Sequence, residues 1–444
     1  MKRIINISLF LVLALGITSC EKYLDVEPKG IVIPKDVKEL DGILNSYTSV
    51  QSYPAHMLYF SDEVYASFGR VENHPSANAY FWAPQLNNDL ESSPVVWSTL
   101  YRCIYNTNVI IRKIDGAAGD AEKKQQLLGE ALTLRSAYFF DLLTVYAKAF
   151  NASTASGDPG IPIMQSVDVT EATPPRSSIQ ATLDTIISNL NTAIEILPAS
   201  SLNRSRVNKY TAYALLSRVY LYMENYTQSA LFADKALETP HEILDYNEYF
   251  SAWEMPEPDL NPEYLWTRLS DDVAAIFYLN YSTELINAYE PDDNRLLLFA
   301  ADYYGTGEYF WSGAGYGSYG ISFPEIYLNK AECLAHNNNI DEAMQILNDL
   351  RIKRVSIYSF EPVEAATQEE AIAHILHERK LELAFKGTRW MDMKRLDKQG
   401  RMPAVERTEL FTGEVLETLP SGSPRYTFKI PGRVMLFNPD MVQN

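Results

Sequence analysis

The stretch from Lys209 to Pro240 sets the tightest limit on what this chain can fold into. Leu216, Ser217, Tyr220, Tyr226, Ala236 and Pro240 recur close to the spacing of a tetratricopeptide helix pair. Small residues stand where the two helices must approach. The pattern returns over residues 325–354, with Ala331 and Leu334 on a first helix, Ala343, Leu347 and Leu350 on a second, and Asn337-Asn338-Asn339 at the turn. A third pair is predicted from residues 122–150 and 178–197, separated by a loop rich in Pro, Gly, Ser and Thr. One pair leaves its apolar stripe exposed, so the pairs must stack. The fold class that follows is mainly α, a tetratricopeptide-like helix-pair scaffold within one body over 36–444. The alternative is an all-α domain of unrelated amphipathic helices.

Two further helices are signalled. Asp36 caps one running through Leu40, Ile43, Leu44 and Tyr47, and Trp97, Leu100, Tyr101, Ile104, Asn108, Ile111 and Ile114 recur at three- and four-residue steps in the other. The remaining texture is different. Residues 50–94 are aromatic, polar and poorly periodic and are predicted as mostly loop. Residues 241–322 and 396–444 are rich in Gly, Pro and Tyr, with short alternating runs such as Glu263-Tyr264-Leu265-Trp266-Thr267-Arg268. An irregular, loop-rich subdomain with short β-hairpins is expected there.

At the N-terminus, Lys2 and Arg3 precede an apolar run from Ile4 to Ile17, then Thr18-Ser19 and Cys20. The run is too short for a permanent membrane span and reads as a signal peptide over 1–19. A cysteine stands where a secreted protein would carry Ala-x-Ala, which resembles a bacterial lipobox. Cys20 is therefore the expected lipidation site, followed by an extended arm over 20–35 containing Pro28, Gly30 and Pro34. Stable anchoring takes more than one acyl chain, at about 0.8 kcal/mol per buried CH₂, and a diacylated, N-acylated cysteine meets that need. Taking 19 residues from 444 leaves 425, and losing Lys2 and Arg3 moves the net charge from −19 to −21. So acidic a chain is poorly suited to nucleic acid or anionic lipid, which select clustered Lys and Arg.

Catalytic patterns are weak. His374 and His377 lie three apart on a helix beside Glu378, without the His-Glu-x-x-His pattern or a third ligand. Asp292-Asp293-Asn294-Arg295 offers oxygen ligands without EF-hand spacing, and the competing reading is a turn held by an Asp–Arg pair. Gly-rich phosphate loops, Gly-x-Ser-x-Gly and Cys/His nucleophile arrangements are absent from the sequence, so neither an enzyme nor a cofactor nor a metal site is expected. Beyond Cys20, Cys103 and Cys333 lie on helix-like stretches with apolar neighbours and read as buried thiols, a disulfide between them being the alternative.

Binding chemistry is better represented, with Tyr 29, Phe 18 and Trp 6. Aromatic faces stack on sugar rings while neighbouring Asn, Asp or Arg bond hydroxyls. Tyr80-Phe81-Trp82, with Asn87, Asn88 and Asp89, is one candidate stretch. Tyr303 to Trp311, continuing through Tyr316 and Tyr319 among glycines, is the other. Glycine at that density denies a regular helix, so these rings are expected on loop. Trp82 and Trp311 are the expected stacking platform, with Tyr80, Tyr304, Tyr309 and Tyr316 beside them. The competing reading packs these rings beneath the loops. Trp97 and Trp266, each on a periodic element, are assigned to the scaffold.

The run Glu378-Arg379-Lys380-Leu381-Glu382-Leu383-Ala384-Phe385-Lys386-Gly387-Thr388-Arg389-Trp390-Met391-Asp392-Met393-Lys394-Arg395 closely resembles the signature helix and turn of the SusD/RagB family of outer-membrane lipoproteins. Cys20 with Tyr23-Leu24-Asp25 and Pro28, the Trp97, Tyr101 and Asn108 helix, Gly129-Glu130-Ala131 with Arg135, Ala137 and Tyr138, and the ending Asn438-Pro439 with Gln443-Asn444 resemble other family landmarks in the same order. Lys386 departs from the Glu common at that position, a difference of surface charge, and the chain looks shorter than many relatives. The resemblance implies a cell-surface lid that captures oligo- or polysaccharides, or peptides in RagB-like members, and passes them to a SusC-like TonB-dependent outer-membrane transporter. A tetratricopeptide interaction scaffold without a nutrient ligand is the alternative. Independently of family, Glu378 and Glu382 share a helix face and Gly387 permits a left-handed cap that turns Arg389 and Trp390 back across the helix end, a structural latch.

Overall fold

Side-chain caps start most of the long helices. Asp36 accepts from Glu39 N ahead of α1 (Val37–Leu44), and Pro94 precedes α2 (Val95–Lys113). Asp120 and Ser178 cap α3 (Ala121–Tyr146) and α4 (Ile179–Ile196), and Asn208 with Thr211 forms a capping box on α5 (Lys209–Tyr222). Then follow α6 (Tyr226–Leu237), α7 (Phe323–His336), α8 (Ile340–Arg351), α9 (Gln368–Glu382), boxed by Thr367 and Glu370, and α10 (Arg389–Lys398). The computed structural model describes residues 34–66, 74–276, 279–302, 304–313 and 317–444. The signal segment, Cys20 and Tyr316 lie outside them.

From α2 to α8 each helix packs on the next, and α9 closes the array against α7 and α8. Small residues permit the close crossing: Ser229 Oγ donates to Ser217 O at 2.9 Å, and Asn329 of α7 reaches Ser217 Oγ at 3.4 Å, joining three helices at fully buried positions. α3 packs against both α2 and α4, which is why its C-terminal half is buried on every face. Cys103 and Cys333 are free and buried, and burial pushes both thiols up to about 12.

The strands are short. β1 (Val64–Tyr65), β5 (Asn280–Tyr281), β7 (Phe310–Trp311) and β6 (Ala300–Ala301) lie side by side in that order. β2 (Pro159–Pro162) pairs with β3 (Arg176–Ser178), and β9 (Val405–Thr408) with β10 (Val415–Leu419). The alternating run around Leu265 does not make a local hairpin. As β4 (Tyr264–Trp266) it is buried throughout and pairs antiparallel with β8 (Ile321–Ser322), far along the chain.

Residues 50–94 also depart from expectation. Over 50–66 and 74–94 the backbone holds a 3₁₀ helix at Ala55–Phe60 and a short α-helix at Pro75–Tyr80, and Tyr53, Met57, Leu58, Tyr59, Phe60, Tyr80 and Trp82 are core. These residues form a second wall of the core.

Buried ion pairs bind the loop-rich part to α9 and α10. Arg295 contacts Asp293 (2.7 Å), Glu378 (2.6 Å) and Glu382 (3.0 Å), while Arg354 holds Glu382 (2.9 Å) and Glu263 (2.6 Å) and donates to Leu244 O. Burial raises the Glu378 and Glu263 carboxyls. Burial also acts on Glu382, yet Arg354 and Arg295 outweigh it and hold that group below its ordinary value. Asp293 is thus committed to Arg295, the turn reading of that motif. Alongside on α9, Arg379 joins Asp392, which also pairs with Arg395, itself held by Glu332.

The chain then reverses through Phe385 (φ 59) and Gly387 (φ 80). Lys386, expected as a surface charge, is half-buried and donates to Tyr264 Oη at 2.7 Å.

Next to this turn, Glu63 accepts from Phe385 N and Ser61 Oγ, both at 3.2 Å, while its other carboxylate oxygen has no partner among the described residues. Burial, reinforced by Asp62, pushes its carboxyl up to about 8. Folded protein therefore keeps a proton that the unfolded chain releases at the ordinary carboxylate value. That contribution is complete below the unfolded value and is lost as pH rises through about 8. Glu63→Gln is expected to flatten urea-derived stability over this window and to exceed wild type at its alkaline end; parallel profiles would contradict the assignment.

Candidate ligand-binding surface

The two rings expected as a stacking platform are buried. Trp82 sits at φ 50, donates from Nε1 to Phe60 O at 2.8 Å and lies under the Arg407 guanidinium, 4.2 Å from its ring. Arg407 also covers Tyr80 at 4.1 Å and donates to the carbonyls of Tyr80, Val64, Tyr59 and Ser61, so Tyr80 and Trp82 present no face to a ligand.

Trp311 stacks on Phe385 with centroids 4.9 Å apart and planes 11° apart. The glycines around it do not carry rings outward. A Cβ on Gly313 or Gly317 would fall 2.8 Å from the Trp311 indole, so glycine lets the chain wrap this ring.

What remains exposed lies on the β6–β7 hairpin. Asp302 accepts from Thr306 N (3.0 Å) and Gly307 N (2.9 Å), bonds that hold its carboxyl below the ordinary value, while Gly305 (φ 64) and Gly307 (φ 81) supply the left-handed positions. This fixes Tyr304, 77% exposed, with Phe310 edge-on at 6.1 Å. Tyr309 is half-buried against the core, its carbonyl accepting from Tyr281 N. At the foot of the hairpin Asn280 Nδ2 donates to Glu308 at 2.6 Å.

Sequence reasoning missed a second ring. Trp253, 84% exposed, sits on the single turn Ala252–Glu254. Met255, next along, packs with Leu298 of the short helix Asn294–Phe299, which leads directly into β6 and the Tyr304 hairpin. No periodicity marks Trp253; the only signal is the flanking Pro and acidic residues.

Beneath these elements is a cavity of about 40 Å³ lined by Tyr246, Tyr264, Trp311 and Lys386 among others, too small for a sugar ring. Tyr304 and Trp253 are each exposed outside this cavity, Tyr304 with the Asp302 and Glu308 carboxylates on the same hairpin. Among the described residues, no group of three His, Cys, Asp or Glu side chains is placed to hold a metal. Nor is any helix among them long and apolar enough to cross a membrane.

Comparison with known proteins joins this fold to a family. A family model described as SusD-like, starch-binding and associating with the outer membrane, matches residues 22–221, and the SusD family model matches 312–444. The chain belongs to the SusD/RagB family. SusD-like protein P38 of Formosa agariphila is 25% identical, the alignment covering 90% of this chain and 93% of that one. A putative sugar binding protein of Bacteroides vulgatus has the same fold with TM-score 0.75 at 22% identity, over 93% of this chain and 99% of its own. A SusD superfamily protein of Bacteroides thetaiotaomicron superposes with TM-score 0.78 at 21% identity, over 92% and 99%. SusD/RagB membership implies a carbohydrate-binding protein of nutrient uptake associated with the outer membrane; the family is one of binding proteins.

Proposed function

We propose that this SusD-like protein is a cell-surface lipoprotein, anchored through Cys20, that captures an oligo- or polysaccharide on the surface carrying Tyr304 and Trp253. It passes the ligand to a SusC-like TonB-dependent transporter. The observation that carries the reading is Tyr304, held 77% exposed on a hairpin pinned by Asp302. A ring carried on a pinned turn stacks on a pyranose with less backbone left to order, and Asp302, Glu308 and Asn280 accompany it with hydroxyl-bonding groups.

Affinity gels and calorimetry with a polysaccharide and peptide panel test this. Tyr304→Ala and Trp253→Ala are expected to weaken glycan binding at least about tenfold with unchanged thermal stability, one base stack being worth a comparable ~1–3 kcal/mol. Trp311→Ala is expected instead to lower stability by about 3–5 kcal/mol. Unchanged glycan binding in both exposed-ring variants, or capture of peptides alone, would overturn the glycan surface.

The anchor has a separate test. Cys20→Ala is expected to fold and bind as wild type while leaving the membrane fraction. Retention in that fraction would place the anchor elsewhere.

A further inference from the structure

A cleft of about 520 Å³ lies on a different set of elements from Tyr304, between the end of α3, α10 and the segments 423–429 and 443–444. The chain as a whole carries 57 acidic and 38 basic residues, yet Lys148, Lys394, Lys398, Arg425 and Lys429 line this cleft against a single acid, Asp397. The lining side chains are thus mostly basic, unlike the chain as a whole, with burial bringing the Lys394 amine down to about 7.

The cations differ in their partners. Lys394 is buried at the base, where its Nζ donates to Thr144 O at 2.6 Å and to Ala147 O, capping the end of α3, and has no carboxylate in ion-pair range among the described residues. Lys429 is exposed and likewise has no carboxylate partner among them. Lys148, Lys398 and Arg425 pair with Asp158 (3.1 Å), Glu224 (2.8 Å) and Glu417 (3.0 Å), carboxylates outside the lining. Lys148 is the well-exposed member, and an exposed pair of that kind is weak enough for an entering anion to compete with it.

Pro84 and Pro424 give the cleft an exposed apolar side, while Tyr426, 4% exposed, stacks on Trp390. An apolar side and a basic rim suit a pyranose bearing a negative group. The volume falls within the usual range for a small-ligand site of about 300–1,000 Å³.

We infer that this cleft is a second binding site, selective for a sugar unit bearing a carboxylate or sulfate. The sugar body of the ligand rests on the carbohydrate reading above; the anionic group rests on the cleft alone.

Calorimetry on the full protein, in low and high salt, tests the inference with a uronic-acid disaccharide, a sulfated disaccharide, their neutral counterpart and inorganic sulfate. Lys148→Glu/Lys429→Glu changes two exposed side chains and spares the Lys394 cap. Wild type is expected to bind the acidic sugars more tightly than either the neutral sugar or inorganic sulfate. The double variant is expected to lose at least about tenfold in their affinity, and salt to weaken them similarly. Any neutral glycan held at Tyr304 should bind the double variant as wild type.

Equal affinity for acidic and neutral sugars, unchanged binding in the double variant, or loss of the acidic sugar in Tyr304→Ala alone would overturn the second site. Inorganic sulfate binding as tightly as the acidic sugars would reduce it to a simple anion site and overturn the sugar assignment. Failure of neutral glycans alone would count against the Tyr304 surface and leave the cleft standing.

Discussion

Arg354→Met is expected to lower the unfolding free energy by about 3–5 kcal/mol. The guanidinium is fully buried, 3.9 Å over the Tyr246 ring, and all its bonds go to Glu263, Glu382 and Leu244 O. Methionine fills much of the space but leaves two buried carboxylates facing each other without their shared cation. Their repulsion and desolvation, rather than the lost pair itself, set the size of the effect. Arg401→Met supplies the contrast. Its partner Glu369 is 70% exposed in side chain, and the change is expected to stay within about 1 kcal/mol. Equilibrium urea denaturation of both variants measures the difference, and near-equal losses would refute a structural role for the buried network.

Gly387→Ala is expected to cost about 2–4 kcal/mol, through a left-handed backbone and a collision. At φ 80 the added Cβ would lie 2.6 Å from Tyr53 Oη and 2.7 Å from the ring carbon bearing it. Tyr53 cannot yield easily. It is 3% exposed, stacks on Tyr319 at 4.5 Å and donates to the Gly387 carbonyl at 3.2 Å. Gly422 shares the positive φ, at 69, with open space around its Cβ position, so Gly422→Ala isolates the backbone cost, about 1–2 kcal/mol. If denaturation midpoints fall equally in the two variants, the Tyr53 contact is not what demands glycine in the signature turn.

The parts legible in the sequence are those whose burial repeats locally. The pairs α5–α6 and α7–α8 show themselves through small residues at the crossing and polar turns between. Asp36 marks a helix start because a cap needs only its own next three residues. Gly387 was recognisable as a reversal because positive φ is a local demand. Lys386 misled because the neighbour that buries it, Tyr264, is 122 residues away.

The same distinction governs the binding surface. Sequence by itself determined that this is a stacked helix-pair protein with a latch at residues 378–395, and that aromatic rings are carried on irregular backbone between the pairs. Tertiary structure decided which of those rings meet solvent. Arg407, 327 residues from Tyr80, closes over Tyr80 and Trp82, and Phe385 of the latch turn stacks on Trp311. A helix or strand announces its buried face through its period; a loop ring has none, so its exposure depends on whichever distant segment reaches it first. Tyr304 and Trp253 remain exposed because no segment among the described residues covers them to that degree.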